Sequence, residues 1–378
     1  MMNKKTRLDG AIVTTTTNNN YGNIAQRYAL QSFLQKNGYN FVSYYFYGFY
    51  WRIFFVQLSV FTYYPRYVIA KLLNKNTQYS SGIYNYHKLS VFCNKRIRQK
   101  LFLPCWKPKY KTYIIGSDQN LGTPIKKEFF TSWQNFLLGF VDWDAKRISY
   151  ASSFGRGVLS NENEFIKSDI AKSLIQKFDA VSLREKSGIK IAKEIWGIKA
   201  RQVVDPTLLL KKSDYDCLIE RPTSILYPTK PIFYYLLRAN EESALFELTQ
   251  KIARDSGVEM DGVLTCSSKK SMPMEQWLKG FRESQFVVTN SFHGVIFSLI
   301  NNTSFVVLCR RKEEKSAVRF QDILGQLNLS DRIIFDDQFH NFDIRSLPEI
   351  NWKNVNKTIG ELRDDSAQWL LQQIEDGS

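Results

Sequence analysis

The sequence predicts an α/β protein built from two doubly wound domains whose parallel sheets face each other across a cleft. Short apolar segments rich in β-branched residues alternate along the chain with amphipathic segments of helical length, which is the pattern of parallel sheets. The alternation stops at the stretch 222–231, which is rich in Pro, Ser and Thr, and then starts again. A length of 378 residues also suits two domains.

These boundaries predict an N-terminal domain over residues 1–221 and a C-terminal domain over residues 222–345. Residues 346–378 form a helical tail that we expect to pack back on the N-terminal domain. Inside the first domain, residues 50–110 form an aromatic and basic insertion that we predict to be helical.

The individual elements follow from the spacing of apolar residues. Predicted strands are apolar and end in polar turns, and predicted helices carry apolar residues on one face, as Leu245, Leu248 and Ile252 do. The predicted strands are 11–13, 41–47, 113–115, 148–151, 180–183, 203–204, 231–237, 262–264, 285–289 and 305–308. The predicted helices are 23–36, 188–196, 242–255, 275–282, 293–300, 318–327 and 362–374.

Composition narrows the classes of function. The net charge of +16 suits nucleic acid, an anionic membrane or an acidic substrate, but no nucleic-acid-binding module accompanies it. The five Cys are far apart and odd in number, which argues against a disulfide framework, and with three His a metal site is not expected. No apolar signal segment follows the basic N-terminus, so we expect a cytoplasmic protein.

One segment, residues 41–64, has the aromatic content of a membrane-contacting surface. It contains Arg52, and the cations Arg66, Lys71 and Lys75 follow it. A spanning helix is usually more aliphatic, so burial in the core and an interfacial position are the two readings that remain. We predict peripheral, salt-sensitive attachment to the anionic inner face of the cytoplasmic membrane.

The stretch 287–298 predicts a buried strand, a polar turn and a helix, with His293 at the start of the helix. Asn290 and Ser291 are placed to accept hydrogen bonds from the first N–H groups of that helix. Open α/β sheets bind ligands at this place, and helix N-termini favour anions. A His there can exchange protons near neutral pH, although a structural His in a turn is the alternative.

Other predicted strands also end in polar residues. They are followed by Asn20-Tyr21-Gly22, Ser117-Asp118-Gln119, Ser152-Ser153, Arg184-Glu185 and Ser291-Phe292-His293. Because the carboxyl ends of parallel strands lie on one edge of a sheet, we expect these residues to line one crevice. A proton carrier, a carboxylate, a cation and several hydroxyl and amide donors would suit an anionic substrate and acid–base chemistry.

The same segments resemble the polysaccharide pyruvyl transferases, and the resemblance extends over about residues 12–335. The motifs are NYGNIAQ at 20–26, GSDQ at 116–119, YASSFG at 150–155, SLRE at 182–185, DPTLL at 205–209 and SFHG at 291–294. Residues 319–332 resemble the closing segment of that family. The family commonly continues GSDQ with Val-Trp, whereas Asn120 and Leu121 follow here.

The resemblance implies a GT-B-like fold of two Rossmann-like domains. It implies transfer of a pyruvyl group from phosphoenolpyruvate to a sugar of a cell-surface polysaccharide or its lipid-linked precursor, forming a cyclic ketal. We expect no cofactor besides this donor substrate, and no metal. The expected partners are phosphoenolpyruvate and a sugar or lipid-linked glycan acceptor, without nucleic acid.

The resemblance also suggests roles for individual residues. His293 is expected to transfer the proton, and Asp118 to orient or deprotonate the acceptor hydroxyl. Arg184 and Arg319 are expected to bind the anionic groups of the donor. The remaining expected substrate-binding residues are Asn20, Tyr21, Gly22, Ser117, Gln119, Ser152, Ser153, Ser291 and Gly294. Three alternatives stay open, namely helix capping for Asp118, an ion pair for Arg184 and core packing for Tyr21.

Other functions also fit this sequence. A glycosyltransferase of the same architecture would place a nucleotide sugar near His293 and Gly294. A scaffold of a glycan assembly complex would use the segment 41–64 to contact the membrane. A nucleic-acid binder fits less well, and it would show steep salt dependence.

Overall fold

The computed structural model describes residues 8–14, 20–46, 89–102, 109–118, 121, 133–155, 165–219, 231–267, 271–311 and 314–376. Its described residues form two compact units. The first unit holds those within Met1–Leu58, Cys93–Leu209 and Gly360–Ser378, and the second holds those within Ser59–Phe92 and Leu210–Ile359.

The first unit contains a sheet that has seven strands among the described residues, all paired in parallel in the order β3-β2-β1-β4-β5-β6-β7. These strands are β1 (Gly10–Val13), β2 (Phe41–Phe46), β3 (Gln99–Phe102), β4 (Thr112–Asp118), β5 (Lys146–Ser152), β6 (Ala180–Leu183) and β7 (Arg201–Gln202). The chain moves outward from β1 in one direction and from β4 in the other. The switch point of this doubly wound sheet therefore lies between β1 and β4, where such sheets bind ligands.

The helices of the first unit include α1 (Tyr21–Lys36), α2 (Asp169–Ile175), α3 (Lys186–Trp196) and α4 (Pro206–Leu209). Helix α1 begins where it does because Asn20 caps it, since the Asn20 side chain accepts a hydrogen bond from the Asn23 backbone N–H at 3.2 Å. The central strands are buried on both faces, as parallel strands usually are, and Ile12 and Ile114 have no exposed surface.

The second unit contains a parallel sheet that has five strands among the described residues, in the order β12-β11-β10-β8-β9. The strands are β8 (Ile232–Leu236), β9 (Met260–Leu264), β10 (Phe286–Thr289), β11 (Ser304–Cys309) and β12 (Ile333–Phe335). The helices include α5 (Asp216–Ile219), α6 (Ala244–Ser256), α7 (Met274–Glu283), α8 (Phe292–Asn301) and α9 (Glu314–Gln326). Here the chain reverses its direction of winding between β8 and β10, which is the switch point of this sheet.

The last helix, α10 (Trp352–Glu375), starts in the second unit and ends in the first. In the first unit, Arg363 donates from Nε to the Leu208 carbonyl at 2.6 Å. The rings of Trp369 and Tyr150 lie 6.4 Å apart. Short 3₁₀ turns cover Trp133–Leu137, Lys212–Tyr215, Ser330–Arg332, Asp336–Asn341 and Ile344–Ser346.

The predicted class, an α/β chain with two doubly wound parallel sheets, is confirmed. One strand prediction is misplaced, because the sheet ends at β7 (Arg201–Gln202) and not at 203–204. The Val204 N–H donates to the Ser366 hydroxyl of α10 at 3.0 Å, so it is not available to a strand.

Three further differences concern segments with weak apolar patterns. The insertion 50–110 is not entirely helical, because strand β3 lies within it. Strand β12 was not predicted, and α10 starts at Trp352 and not at 362. Among the described strands, β3 and β12 each lie at an edge of their sheet and pair on one side only. An edge strand is less completely buried, so its sequence does not need a continuous apolar run.

Most of the aromatic segment 41–64 lies outside the described residues, and the part that is described is β2. None of the helices in the described ranges combines the length and the apolar character that a bilayer span needs. Peripheral membrane attachment stays a prediction.

Candidate functional site

In the first unit, Asp118 lies at the end of β4, at the switch point between β1 and β4. The Asn23 side chain, in the first turn of α1, donates from Nδ2 to Asp118 Oδ2 at 3.0 Å. The Thr14 hydroxyl, just after β1, donates to the Ser117 carbonyl at 3.1 Å. These two contacts join the end of β4 to the end of β1 and to the start of α1.

Asp118 has an unusual backbone. Its φ is 140°, in a region that residues with a side chain rarely adopt. The Ser153 N–H donates to the Asp118 carbonyl at 3.0 Å and holds the residue from the side of β5. Backbone strain of this kind costs on the order of 1–3 kcal/mol and is concentrated at functional sites, which marks Asp118 as a candidate.

Arg184 lies at the end of β6 in a buried group of charges. It donates from Nη1 to Asp205 Oδ2 at 2.9 Å and from Nε to Glu185 Oε1 at 3.1 Å, and its side chain is only 5% exposed. The Gln26 side chain donates to the same Asp205 oxygen at 2.6 Å. Burial alone would lower the pKa of the Arg184 guanidinium, but Glu185 and Asp205 outweigh it and hold that pKa above its usual value.

The ion-pair alternative for Arg184 is therefore what the structure shows in the first unit. Two of its donor groups are used by carboxylates, and both carboxylate residues are buried as well. This arrangement orders the end of β6 and the turn after β7. It favours a positioning role over direct contact with a substrate from solvent.

Several other predicted binding residues belong to the packed interior of the same unit. The Ser153 hydroxyl donates to Glu185 Oε1 at 2.6 Å, and the Ser152 and Ser149 hydroxyls lie 2.9 Å apart. Tyr21 is 1% exposed, which favours the packing alternative over stacking on a sugar. Ser117 is buried, Asn20 is exposed, Gly22 lies inside α1, and Gln119 lies outside the described residues.

In the second unit, His293 is the second residue of α8 and is partly exposed at the switch point between β8 and β10. The ring of Phe292 meets the His293 ring edge-on, with centroids 5.6 Å apart. The presence of glycine at position 294 has a steric explanation, because a Cβ at this position would lie 2.2 Å from Thr289 Oγ1. The start of α8 therefore approaches β10 so closely that only glycine fits.

The predicted capping of α8 by Asn290 and Ser291 is wrong. The helix follows Ser291 directly, but that side chain makes no capping hydrogen bond. Asn290 instead contacts the residue after β8, since its Oδ1 accepts from the Leu237 N–H at 2.6 Å and its Nδ2 donates to the Leu237 carbonyl at 3.0 Å. The Asn290 side chain binds the turn after β8 and not the helix N-terminus, because the turn satisfies both its carbonyl oxygen and its NH₂ group.

Arg319 lies on α9 in the same unit, with its guanidinium carbon 5.3 Å from the Phe320 ring. The Phe320 ring lies 6.4 Å from the Phe292 ring, so α9 passes beside the start of α8. The second unit thus brings Ser291, His293 and Gly294 together, with the helix of Arg319 next to them.

Sequence reasoning missed the positioning roles of four residues, namely Asn23, Gln26, Asp205 and Asn290. Asn23 and Gln26 are three positions apart on α1, so they lie on the same face, and that spacing was the available signal. No cluster of three side chains that could hold a metal ion occurs among the described residues.

Two doubly wound parallel sheets, each with polar residues at its switch point, define an α/β protein with two Rossmann-like units. The sequence profile of the polysaccharide pyruvyl transferase family matches residues 20–308. No curated protein matches the sequence. The chain belongs to the polysaccharide pyruvyl transferase family.

Solved structures align over most of the chain at low identity. UDP-GlcNAc 2-epimerase from Methanocaldococcus jannaschii is 9% identical over 97% of this chain and 99% of that one, with a TM-score of 0.48. MurG from Acinetobacter baumannii is 8% identical over 97% and 99% of the two chains, with a TM-score of 0.40. A functionally uncharacterized protein from Klebsiella pneumoniae is 12% identical over 86% and 92%, with a TM-score of 0.41.

Proposed function

We propose that this protein transfers the pyruvyl group of phosphoenolpyruvate to a sugar of a cell-surface polysaccharide, or of its lipid-linked precursor, as a cyclic ketal. The observation that carries the proposal is His293 at the start of α8, at a switch point, in a chain of this family. An ionisable imidazole at a helix N-terminus combines a proton donor with a site that favours anions.

The reaction begins with a proton transfer. His293 gives a proton to the methylene carbon of phosphoenolpyruvate, and the neighbouring carbon becomes an oxocarbenium-like centre. A sugar hydroxyl adds to that carbon and gives up its proton, which replaces the proton that His293 donated. A second hydroxyl of the same sugar then forms the second C–O bond, while the bond to phosphate breaks and phosphate leaves with the remaining proton. The products are one cyclic ketal and one phosphate.

Asp118 is the proposed group that orients or deprotonates the attacking hydroxyl. The hydrogen bond from Asn23 fixes one orientation of its carboxylate, and the strained backbone fixes where the side chain starts. Preorganisation of this kind favours a reacting carboxylate over a residue that only caps a helix.

Arg184 and Arg319, which the sequence predicts as two ligands of the donor, are given different roles here. Arg319 remains a proposed ligand of the donor. For Arg184 we propose a positioning role, because its guanidinium already pairs with Glu185 and Asp205 in the interior of the first unit.

A product analysis tests the function. The purified protein is incubated with phosphoenolpyruvate and a lipid-linked glycan from the source organism, and the glycan is analysed by mass spectrometry while released phosphate is measured. We expect one ketal-linked pyruvate for each phosphate released. Sugar transfer from a nucleotide sugar, together with thermal stabilisation by that nucleotide sugar and not by phosphoenolpyruvate, would replace the proposal with a glycosyltransferase.

A further inference from the structure

Arg238 follows β8 at the switch point of the second unit. Its side chain is exposed, and its backbone has φ 53°, in the left-handed region. A residue other than Gly, Asn or Asp adopts that region at a cost of roughly 1–2 kcal/mol. Nothing in the packing of an exposed side chain explains why an arginine occupies this position.

The backbone around Arg238 is held from both neighbouring strands. On the β9 side, the Arg238 N–H donates to Thr265 Oγ1 at 2.8 Å, and the Cys266 N–H donates to the Ala239 carbonyl at 3.0 Å. On the β10 side, Asn290 holds both polar groups of Leu237. The turn is thus fixed by hydrogen bonds on either side, as a strained residue requires to remain in place.

The charge of Arg238 is not balanced locally. Throughout the part of the chain that the structure describes, its guanidinium has no ion-pair partner. The carboxylate nearest in the sequence, Glu241, accepts a hydrogen bond from the Ser267 hydroxyl instead. Arg311, which follows β11 of the same sheet, differs in that it pairs with Asp337 at 3.0 Å. An exposed arginine without a carboxylate partner at a switch point is placed to receive an anionic ligand.

We propose that Arg238 binds an oxyanion of the donor substrate, the phosphate or the carboxylate of phosphoenolpyruvate. The proposal rests on the proposed function, and it supplies the cation that the burial of Arg184 leaves missing. A guanidinium can bind either group through two parallel hydrogen bonds. The start of α8, with His293, follows Asn290 at the same switch point, so both residues belong to one end of the sheet.

The test compares Arg238→Asn with Arg254→Asn. Asn tolerates left-handed φ, so the first variant should fold and melt at or above the wild-type temperature. Arg254 is exposed in the last turn of α6, which runs back from β8 to the amino ends of the strands, and its replacement makes the same change of charge away from the switch point. Circular dichroism checks the folding of both variants.

Binding is measured by calorimetry with phosphoenolpyruvate, inorganic phosphate and pyruvate as separate probes. We expect the dissociation constant for phosphoenolpyruvate to rise about ten- to a hundredfold in Arg238→Asn, the range for a lost charged hydrogen bond. It should not change in Arg254→Asn. Weaker phosphate binding would assign Arg238 to the phosphate, and weaker pyruvate binding would assign it to the carboxylate.

The outcomes separate this inference from the proposed function. If Arg238→Asn binds phosphoenolpyruvate as tightly as wild type while wild type forms ketal, the role of Arg238 is refuted and the function stands. If Arg238→Asn alone loses binding but wild type forms no ketal, the binding role stands and the function fails. A wild-type protein that binds none of the three probes refutes both.

Discussion

The Asn23 amide donates a hydrogen bond from Nδ2 to Asp118 Oδ2 across 3.0 Å, although 95 positions separate the two residues in the chain. Gln26, on the same face of α1, donates to Asp205 at 2.6 Å. The start of α1 is therefore attached to two carboxylates, one at the end of β4 and one after β7. Any chemistry at Asp118 depends on this attachment.

Replacing Asn23 by Ala should lower turnover by more than the loss of folding stability alone explains. The variant removes the donor that orients Asp118, so we expect turnover to fall about tenfold or more, because small misplacements of a reacting group are costly. Single-turnover ketal formation measures this effect.

Asn37→Ala is the matched control for that variant. It removes the hydrogen bond from Asn37 Nδ2 to the Phe33 carbonyl at the other end of the same helix, 2.8 Å long, and should cost about 1 kcal/mol of unfolding free energy. Equal losses of turnover in the two variants would mean that Asn23 acts only through the helix.

Arg184→Met should be strongly destabilising. It leaves Asp205 and Glu185 in the interior without their cation, and breaking a buried pair in this way costs about 3–5 kcal/mol. Urea unfolding followed by circular dichroism measures the free energy of unfolding.

Arg201→Met provides the comparison in the same unit. Arg201 pairs with Asp365, but the two side chains are 48% and 55% exposed, so its loss should cost less than about 1 kcal/mol. If the free energy of unfolding falls by the same amount in both variants, the buried ion pairs of Arg184 do not contribute more to stability than the exposed pair of Arg201.

Much of the fold could be read from local patterns. Strand β6 occupies the predicted residues 180–183, and the strands around Ile12 and Ile114 are buried apolar runs as expected. These elements are predictable because burial on both faces of a parallel strand leaves a continuous apolar run in the sequence. Strand β3 has the sequence Gln-Lys-Leu-Phe and lacks such a run, so its pattern gave no sign of a strand.

The site could be predicted only in part. Strand ends pointed to Asp118 and His293, because polar residues after buried strands are visible in the sequence. The partners of those residues were not visible, since Asp205 lies 21 positions from Arg184 and pairs with it only once β6 and β7 are side by side. The same holds for Asn290, whose amide is equally able to cap a helix or to bind the turn after β8.

Gly294→Ala should destabilise the second unit. A Cβ at this position would lie 2.2 Å from Thr289 Oγ1 and 2.8 Å from Thr289 Cβ, so α8 or β10 must move. Overpacking of this kind costs about 1–3 kcal/mol.

Gly325→Ala is its control on α9. Among the residues that the structure describes, no atom lies within 4 Å of a Cβ added at that glycine, so the change should stabilise the helix by up to about 1 kcal/mol. Thermal unfolding of both variants gives the comparison, and a stabilised Gly294→Ala would contradict the close approach of α8 to β10.

The cysteines should differ in reactivity. Cys217 and Cys266 are exposed, whereas Cys93 and Cys309 are buried. Burial raises the pKa of the Cys93 thiol even though Arg27 partly opposes the shift, so less thiolate is present at a given pH. Iodoacetamide at mildly alkaline pH should label Cys217 and Cys266 first, and Cys93 only after unfolding or at higher pH.

Peptide mass spectrometry resolves the labelled sites, which matters because Cys105 lies outside the described residues. The same reaction in urea serves as the control, since every thiol should then react. Fast labelling of Cys93 in the folded protein would contradict its burial.

His293 provides the most direct test of the mechanism. If it donates the proton that makes phosphoenolpyruvate electrophilic, His293→Ala should lower turnover by about two to four orders of magnitude. Donor affinity should change much less, because cations and helix N–H groups hold the phosphate and carboxylate. His293→Gln is the matched variant, since it keeps a polar side chain at the start of α8 but cannot donate a proton in this way. A donor titration and a single-turnover rate for each variant separate the two effects. Near wild-type ketal formation in either variant would remove His293 from the mechanism and leave Asp118 as the group that transfers the proton.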